Sequence, residues 1–186
     1  MRPEERARTV LSPAAWASRA WELYEAANAI HDPSAVNADA GISARLYSPE
    51  LRRSWMFLVA CACKALLRAA LIAEERDELV RIYCDSKGKF PGFLLTNDLC
   101  TLVERLDIGL TRADRNLLGQ LSLLLAEKES DQQHIGMPIR HQAMRQISCL
   151  MGVPETSLPA DIDQARLFFL RLWAVVYRAV ARTSYN

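Results

Sequence analysis

Apolar residues recur every three or four positions along most of this chain, a spacing that places them on one face of an α-helix. In the first such segment they are Trp16, Ala20, Leu23, Ala27 and Ile30. Ser12 and Pro13 stand just before this stripe, and these residue types are favoured where a helix begins. The pattern predicts a helix that begins at Pro13 and follows a loose N-terminal arm over residues 1–11.

A longer apolar segment follows a second Ser-Pro pair at residues 48–49 and extends to about Cys84. Its stripe consists of Leu51, Trp55, Leu58, Ala62, Leu66, Ala69 and Ala73. Other apolar residues surround this stripe, so we expect the helix to be central. Lys64 and Arg68 interrupt it, and no uncharged run approaches the about 20 residues that span a bilayer. We therefore expect a buried helix and no membrane contact.

The remaining patterns are also helical. A short helix is expected after a cap at Thr96 or Asn97, and a Leu-rich helix after the capping-box pattern at 111–114. Another short helix is expected over 139–151, and a last long helix over 161–182. The last helix is expected to bury Ala165, Phe168, Phe169, Leu172, Val176 and Val180. These patterns predict an all-α fold, a bundle of four longer helices plus two short helices, in a single domain over residues 1–186.

Composition supports a globular chain but names no activity. Hydrophobic residues make up 51% and charged residues 24%, and 23 basic against 22 acidic residues leave a net charge of +1. No overall field therefore attracts a nucleic acid or a membrane. The five cysteines form no C-x-x-C pair, and the three histidines offer no zinc-ligand spacing. We expect free thiols in a reducing cytoplasm, with no metal and no cofactor.

Two basic groups are candidate contacts for a nucleic-acid backbone. Arg171, Arg178 and Arg182 are seven and four residues apart, so they share one face of the last helix. Arg140, His141 and Arg145 follow a Gly-Met-Pro break; the first two lie near a predicted helix N-terminus, where a phosphate is stabilised. The simpler interpretation of each group is ordinary solvated charge.

Two other polar clusters carry weaker signals. Ser130, Asp131 and His134 lie close together, but a hydrolytic triad is defined by geometry, and a solvated loop explains them more simply. The acidic residues at 74, 75, 77 and 78 have Arg76 and Arg81 beside them, so a surface ion-pair face is expected there rather than a metal site.

Two segments resemble HEPN-like domains (higher eukaryote and prokaryote nucleotide-binding). Residues 57–71 contain Lys64-Ala65-Leu66-Leu67, which is similar to the Lys-Ala-x-Leu element of a long apolar helix in that superfamily. Residues 89–122 contain Asn97-Asp98-Leu99 and later Leu110-Thr111, similar to a His-Asp-Leu element and a Leu-Thr turn before a Leu-rich helix. Together these segments cover about a quarter of the chain.

The departures from the superfamily bear on activity. Ala60 stands where such helices often carry Glu, and Asn97 stands in place of His. The Gly-Arg-Tyr-Pro element is reduced to a Gly-Met-Pro sequence at 136–138. The ribonuclease members carry Arg, then four to six residues, then His, and this chain has no such motif. We therefore expect no catalysis.

The resemblance implies a bundle that forms a homodimer or binds a partner protein. It also implies contact with RNA or a nucleotide, in a prokaryotic defence or toxin–antitoxin type system. Its sites would be Arg140, His141 and His134. One alternative is a helical scaffold, such as the small subunit of a CRISPR-type effector, with Arg171, Arg178 and Arg182 along the nucleic-acid backbone. A second is a divergent HEPN ribonuclease, with Arg140 and His141 supplying the cation and the acid/base.

Overall fold

The computed structural model describes residues 2–31, 49–132 and 162–184, and within these ranges every regular element is a helix. In chain order the helices are α1 (Pro3–Val10), α2 (Pro13–His31), α3 (Pro49–Glu74), α4 (Arg76–Asp85), α5 (Gly92–Leu95), α6 (Leu99–Arg105), α7 (Arg112–Gln132) and α8 (Ile162–Ser184). The all-α prediction is confirmed. Its four longer helices are α2, α3, α7 and α8. The number of short helices was underestimated: the described residues contain four, α1, α4, α5 and α6, where one was predicted. The short helix predicted at 139–151 lies outside the described residues.

Helix α3 is the centre of the bundle. α2 and α8 pack along it, and α6 and α7 pack against it as well. Trp55, Met56, Leu66 and Leu67 are fully buried although they point in different directions around the helix, as the apolar surroundings of the stripe predicted. By length and composition Arg52–Glu74 would suffice to cross a membrane, but 72% of its most apolar window is buried inside the protein. This is the burial expected for a central core helix.

The prediction of one continuous helix to about Cys84 is wrong, because the chain breaks at Glu75. The backbone there has φ −112° and ψ 24°, and α4 starts at the next residue. Both Glu75 carboxylate oxygens accept hydrogen bonds from Arg105 at 2.9 Å, and the Arg105 guanidinium lies 3.8 Å from the centre of the Phe93 ring. No Gly or Pro marks the break, which is instead accompanied by the contact of Glu75 with Arg105, 30 positions later.

The N-terminal residues do not form the loose arm that was predicted. Pro3–Val10 is helical, and Ala7 and Leu11 are completely buried. α1 packs against α4, and the Trp16 indole Nε1 donates a hydrogen bond to the Val10 carbonyl at 3.1 Å. The apolar residues of this segment are few and lie among charged ones, so the sequence pattern is weak. Ala7 and Leu11 are nevertheless buried in the bundle.

Three helix starts test the capping predictions. Ser12 Oγ accepts from the Ala15 amide at 3.3 Å, which confirms the first start. Thr111 and Asp114 form the expected box, each side chain accepting from the other's backbone amide at 3.2 Å. The cap of α6 is neither Thr96 nor Asn97: Asp98 Oδ1 accepts from the amides of residues 100 and 101.

Aromatic side chains join α8 to α2. All six residues predicted to be buried in α8 are buried. Among them, Phe169 stacks on Tyr24 with ring centres 4.2 Å apart, and the Trp21 and Trp173 rings are 4.8 Å apart. Tyr24 lies beside the predicted stripe of α2, so the buried face of this helix is rotated slightly toward Ala17 and Tyr24.

The described cysteines are free thiols, as predicted, but they are not equally buried. Cys63 is completely buried in α3, and burial, together with the neighbouring Cys61, raises the pKa of its thiol to about 12. Cys61, Cys84 and Cys100 are half-buried. The fifth cysteine, Cys149, lies outside the described residues.

Candidate anion-binding cleft

Several site residues predicted from the sequence cannot be placed. His134, Arg140, His141 and Arg145 all lie outside the described residues. The candidate acid/base and the N-terminal phosphate contact of the predicted 139–151 helix therefore stay predictions.

The three arginines of α8 are not equivalent. Arg171 Nη2 lies 2.6 Å from Asp114 Oδ1, so this guanidinium is engaged in linking α8 to the start of α7. Arg178 is exposed to solvent. Arg182 is in the last turn of α8, and its side chain is not among those that the structure describes. The basic face predicted on this helix is therefore partly neutralised at Arg171.

Asp114 is the buried partner in that contact. Burial by itself raises the pKa of this carboxyl group, but hydrogen bonds from the Thr111 hydroxyl and backbone amide, and the nearby Arg171, outweigh burial and lower it. The carboxylate therefore stays charged at neutral pH. Its function is structural, since it closes the capping box and anchors α8.

The acidic cluster beside the α3–α4 break is an ion-pair surface, as predicted. Arg81 contacts Glu78 at 2.6 Å and Asp85 at 3.7 Å, and Glu75 binds Arg105 as described above. The pairing partner of Glu75 is thus Arg105 rather than the neighbouring Arg76. In the described parts of the chain, no group of three or more His, Cys, Asp or Glu residues is placed to hold a metal ion.

The two segments that carry the HEPN-like resemblance meet at an open cleft of about 270 Å³ between α2, α3, the loop before α6 and the end of α7. We call it the Lys64 cleft. The lining residues used below are Trp16, Arg19, Phe57, Lys64, Arg68 and Asn97. Because these residues come from segments far apart in sequence, the cleft exists only in the folded bundle.

Lys64 and Asn97 form the polar centre of the cleft. Lys64 Nζ donates to the Asn97 side-chain carbonyl and, at 3.5 Å, to the backbone carbonyl of Leu95. The Asn97 amide nitrogen donates at 3.4 Å to the carbonyl of Leu125 in α7. The side-chain carbonyl of Asn97 is thereby oriented toward the ammonium group, and its amide toward α7. The ammonium group of this half-buried lysine is thus bonded to two oxygen acceptors.

Two arginines extend the positive charge along one wall. Arg68 is one turn after Lys64 on α3, and its guanidinium lies over the Trp16 indole, 5.2 Å from the ring centre, a cation–π arrangement. Arg19 is exposed and pairs with Glu22 at 3.2 Å. Among its described lining residues the cleft has these three cations and no carboxylate.

A small apolar recess adjoins the cleft. Trp16 and Arg68 border both spaces, and the recess of about 30 Å³ is otherwise lined by apolar residues such as Ile72, Phe90 and Leu94. A bound molecule would thus meet cations and an amide at the centre of the cleft and aromatic surface at its edge.

This arrangement suits the binding of an anion. An anion gains from fixed N–H donors and positive charge, and an attached flat or apolar group gains from contact with Trp16 and Phe57. Among the described residues that line the cleft there is neither a histidine nor a carboxylate. Cys61 contributes a half-buried thiol to the lining.

Sequence reasoning found the residues of this site without recognising the site. Lys64 and Asn97 were singled out because they belong to the HEPN-like segments. Arg68 was noted only as a charged residue that interrupts an apolar helix. The signal that points to a site is the pair of cations four residues apart on the central helix, because a cation at a core-facing position requires polar partners. Trp16 gave no separate signal, since an aromatic residue in a helical stripe is usually core.

No protein-family model, no curated protein and no solved structure matches this chain.

Proposed function

We propose that this chain is a HEPN-like helical module that binds the phosphate group of a nucleotide or of RNA in the Lys64 cleft without cleaving it. We place this activity in the cytoplasm, in a prokaryotic defence or toxin–antitoxin type system, as the resemblance implies. The observation that carries the binding proposal is the meeting of Lys64 and Asn97, one from each HEPN-like segment, at a cleft lined by further cations.

The charge balance of the cleft supports an anionic ligand. Arg19, Lys64 and Arg68 line the cleft, where the part of the lining that the structure describes has no carboxylate, although the whole chain carries only +1. Of these cations, Arg19 also pairs with Glu22 outside the lining. The Lys64 bond to the Leu95 carbonyl is 3.5 Å long, at the limit of a hydrogen bond. It is therefore the contact that a phosphate oxygen displaces at least cost. A hydrogen bond to a charged group contributes about 1.5–3 kcal/mol, or roughly a 10- to 150-fold change in affinity.

The size and the aromatic edge of the cleft narrow the ligand class. A volume of about 270 Å³ is just below the range typical of small-molecule sites, about 300–1,000 Å³. The cleft therefore takes one phosphate and the sugar or base next to it, with the rest of a longer ligand in solvent. Trp16 and Phe57 provide apolar contact for that neighbouring group.

Binding should be measured by isothermal titration calorimetry at low salt, with AMP, ATP, inorganic phosphate and a short single-stranded RNA as separate probes. Lys64→Met removes the charge and keeps an unbranched side chain that is one atom shorter. We expect it to weaken nucleotide binding at least tenfold and to reduce the salt dependence of RNA binding by about one counterion. Lys89→Met, at an exposed position outside the cleft, is the matched control and should bind normally.

Three outcomes would overturn the proposal. The native chain could ignore every probe at low salt, or Lys64→Met could bind as well as the native chain while keeping its fold by circular dichroism. RNA binding that is lost in Arg178→Glu but retained in Lys64→Met would point instead to the scaffold function along α8. Cleavage of RNA that disappears in His141→Ala would replace the binding module by the divergent ribonuclease.

A further inference from the structure

The apolar recess beside the Lys64 cleft has N–H donors at its border and no side-chain acceptor among its described lining residues. Arg68 and Trp16 carry the only side-chain N–H groups of this described lining, and the Trp16 indole donates its N–H to the Val10 carbonyl. The recess therefore offers a ligand apolar contact and, from Arg68, hydrogen-bond donors.

Leu95 exposes an apolar side chain at this recess. The residue lines the recess and is 52% exposed, although the neighbouring Leu94 is buried. The backbone carbonyl of Leu95 accepts the 3.5 Å hydrogen bond from Lys64, so this residue joins the polar centre of the cleft to the recess. A flat ring that covers Leu95 would remove its apolar surface from water, which is favourable.

The spacing of two cations suits a ligand that has a phosphate and a ring. Lys64 lies in the cleft and Arg68 borders both the cleft and the recess. The two residues are one turn apart on α3, about 6 Å along the helix axis. A phosphate at Lys64 and a ring at Arg68 can therefore belong to one molecule in which a ribose joins them. The recess, of about 30 Å³, admits the edge of a ring rather than a whole nucleoside.

We infer that the recess takes the base of the nucleotide whose phosphate binds Lys64, and that Arg68 makes this site selective for guanine. The inference rests on the proposed function and adds the identity of the base. A guanidinium only donates hydrogen bonds. Guanine presents two adjacent acceptors, O6 and N7, which match the fork of an arginine, whereas adenine presents an amino donor beside N7. Adenine would therefore place a donor against a donor.

The surroundings of Arg68 are compatible with a bound base. Its guanidinium lies 5.2 Å from the centre of the Trp16 ring, so a base paired with it lies beside the indole. Trp16 and Leu95 both line the recess and provide apolar contact for the ring. With five N–H donors, a guanidinium can keep contacts within its own chain and still present two N–H groups to a base.

The first test varies the ligand, so it does not depend on whether a variant folds. Binding of GMP, AMP, inosine monophosphate and 7-deazaguanosine monophosphate should be measured by isothermal titration calorimetry at low salt. We expect GMP to bind about tenfold more tightly than AMP. Inosine monophosphate keeps O6 and N7 and should bind like GMP. The 7-deaza analogue lacks the N7 acceptor and should lose most of the advantage over AMP.

The second test varies the recess. Arg68→Lys keeps the positive charge but removes the fork, so the ratio of the GMP and AMP affinities should fall to about one. Leu95→Ser should weaken GMP and AMP alike and keep their ratio, because Leu95 contacts the ring without distinguishing its edge. Leu123→Ser is the matched control, since Leu123 is 62% exposed on α7 and is not in the described lining of either space. Circular dichroism should show that each variant keeps its fold.

A third measurement distinguishes a free nucleotide from RNA as the source of the base. A single-stranded uridine hexamer is compared with the same hexamer carrying one guanosine. Tighter binding of the guanosine hexamer that Arg68→Lys removes would identify RNA as a source. Selective binding of GMP without such a difference between the hexamers would identify the free nucleotide.

Failure of this inference differs from failure of the proposed function. GMP and AMP of equal affinity, both weakened by Lys64→Met, would overturn the guanine inference and leave the phosphate site standing. A preference for GMP that survives Arg68→Lys would also overturn it, as would inosine monophosphate that binds as weakly as AMP. If the native chain binds none of the nucleotides and neither inorganic phosphate nor RNA, the proposed function fails, and this inference fails with it.

Discussion

Asp114 offers the sharpest test of the energetics of this bundle. Asp114→Ala removes the acceptor of the Thr111 amide and hydroxyl bonds and the partner of Arg171 at 2.6 Å. Loss of a capping contact costs about 1 kcal/mol. The ion pair adds no more than about 1 kcal/mol, since the Arg171 side chain is 61% exposed and water screens it. The free energy of unfolding should fall by about 2 kcal/mol, and the melting temperature by about 4–8 °C.

Asp114→Asn separates the two contributions. Its side-chain oxygen can still accept from Thr111, but it carries no charge for Arg171, so we expect about half of the loss. The measurement is urea unfolding followed by circular dichroism at pH 7. Asp77→Ala is the control: Asp77 is exposed in the first turn of α4, and its loss should cost less than about 0.5 kcal/mol.

The pH dependence follows from the lowered pKa of Asp114. Its ordinary value is 3.8 and the folded value is lower. The stabilisation by the charged group is therefore complete above pH 3.8 and is lost as the pH falls through the folded pKa. The difference between the native chain and Asp114→Asn should be present at pH 7 and vanish in strong acid. A cost of Asp114→Ala no greater than that of Asp77→Ala would refute the reasoning.

Three further predictions test other contacts. Arg105→Lys should destabilise the chain by about 1 kcal/mol in urea unfolding, because an ammonium group cannot hold both oxygens of Glu75 and stack on Phe93; unchanged stability would show that these contacts are incidental. Gly88→Ala should cost about 1 kcal/mol, because residue 88 has φ +86°; a stabilising effect would contradict this. Cys63, with its pKa raised to about 12 by burial, should resist iodoacetamide at pH 8 until the chain is unfolded, as followed by peptide mass spectrometry; labelling as fast as that of the half-buried cysteines would contradict its burial.

The local features of this fold follow from the sequence because each depends on neighbours along one helix. The stripe of α8 predicted all six of its buried residues, and the pair Thr111 and Asp114 predicted a capping box that the structure contains. Both signals depend on residues within three or four positions of one another. At that separation, helix geometry alone determines which side chains share a face or reach the same terminus.

The features that the pattern missed depend on distant residues. The break at Glu75 is accompanied by contact with Arg105, and α1 packs through Ala7 and Leu11 in a segment that otherwise looks polar. One further error is local: the predicted cap of α6 was one or two positions too early, because several neighbouring polar residues are suitable caps and only the backbone geometry selects Asp98.

The sequence by itself determined that this chain is helical, where most of its long helices lie and which faces they bury. Periodicity carries that information, since burial of apolar area is the main driving force of folding. Only the tertiary structure decided that Lys64 meets Asn97 and that Arg171 is engaged by Asp114, while Arg178 stays exposed. These contacts join residues 33 and 57 positions apart, and their formation depends on how the helices cross, which no local spacing specifies.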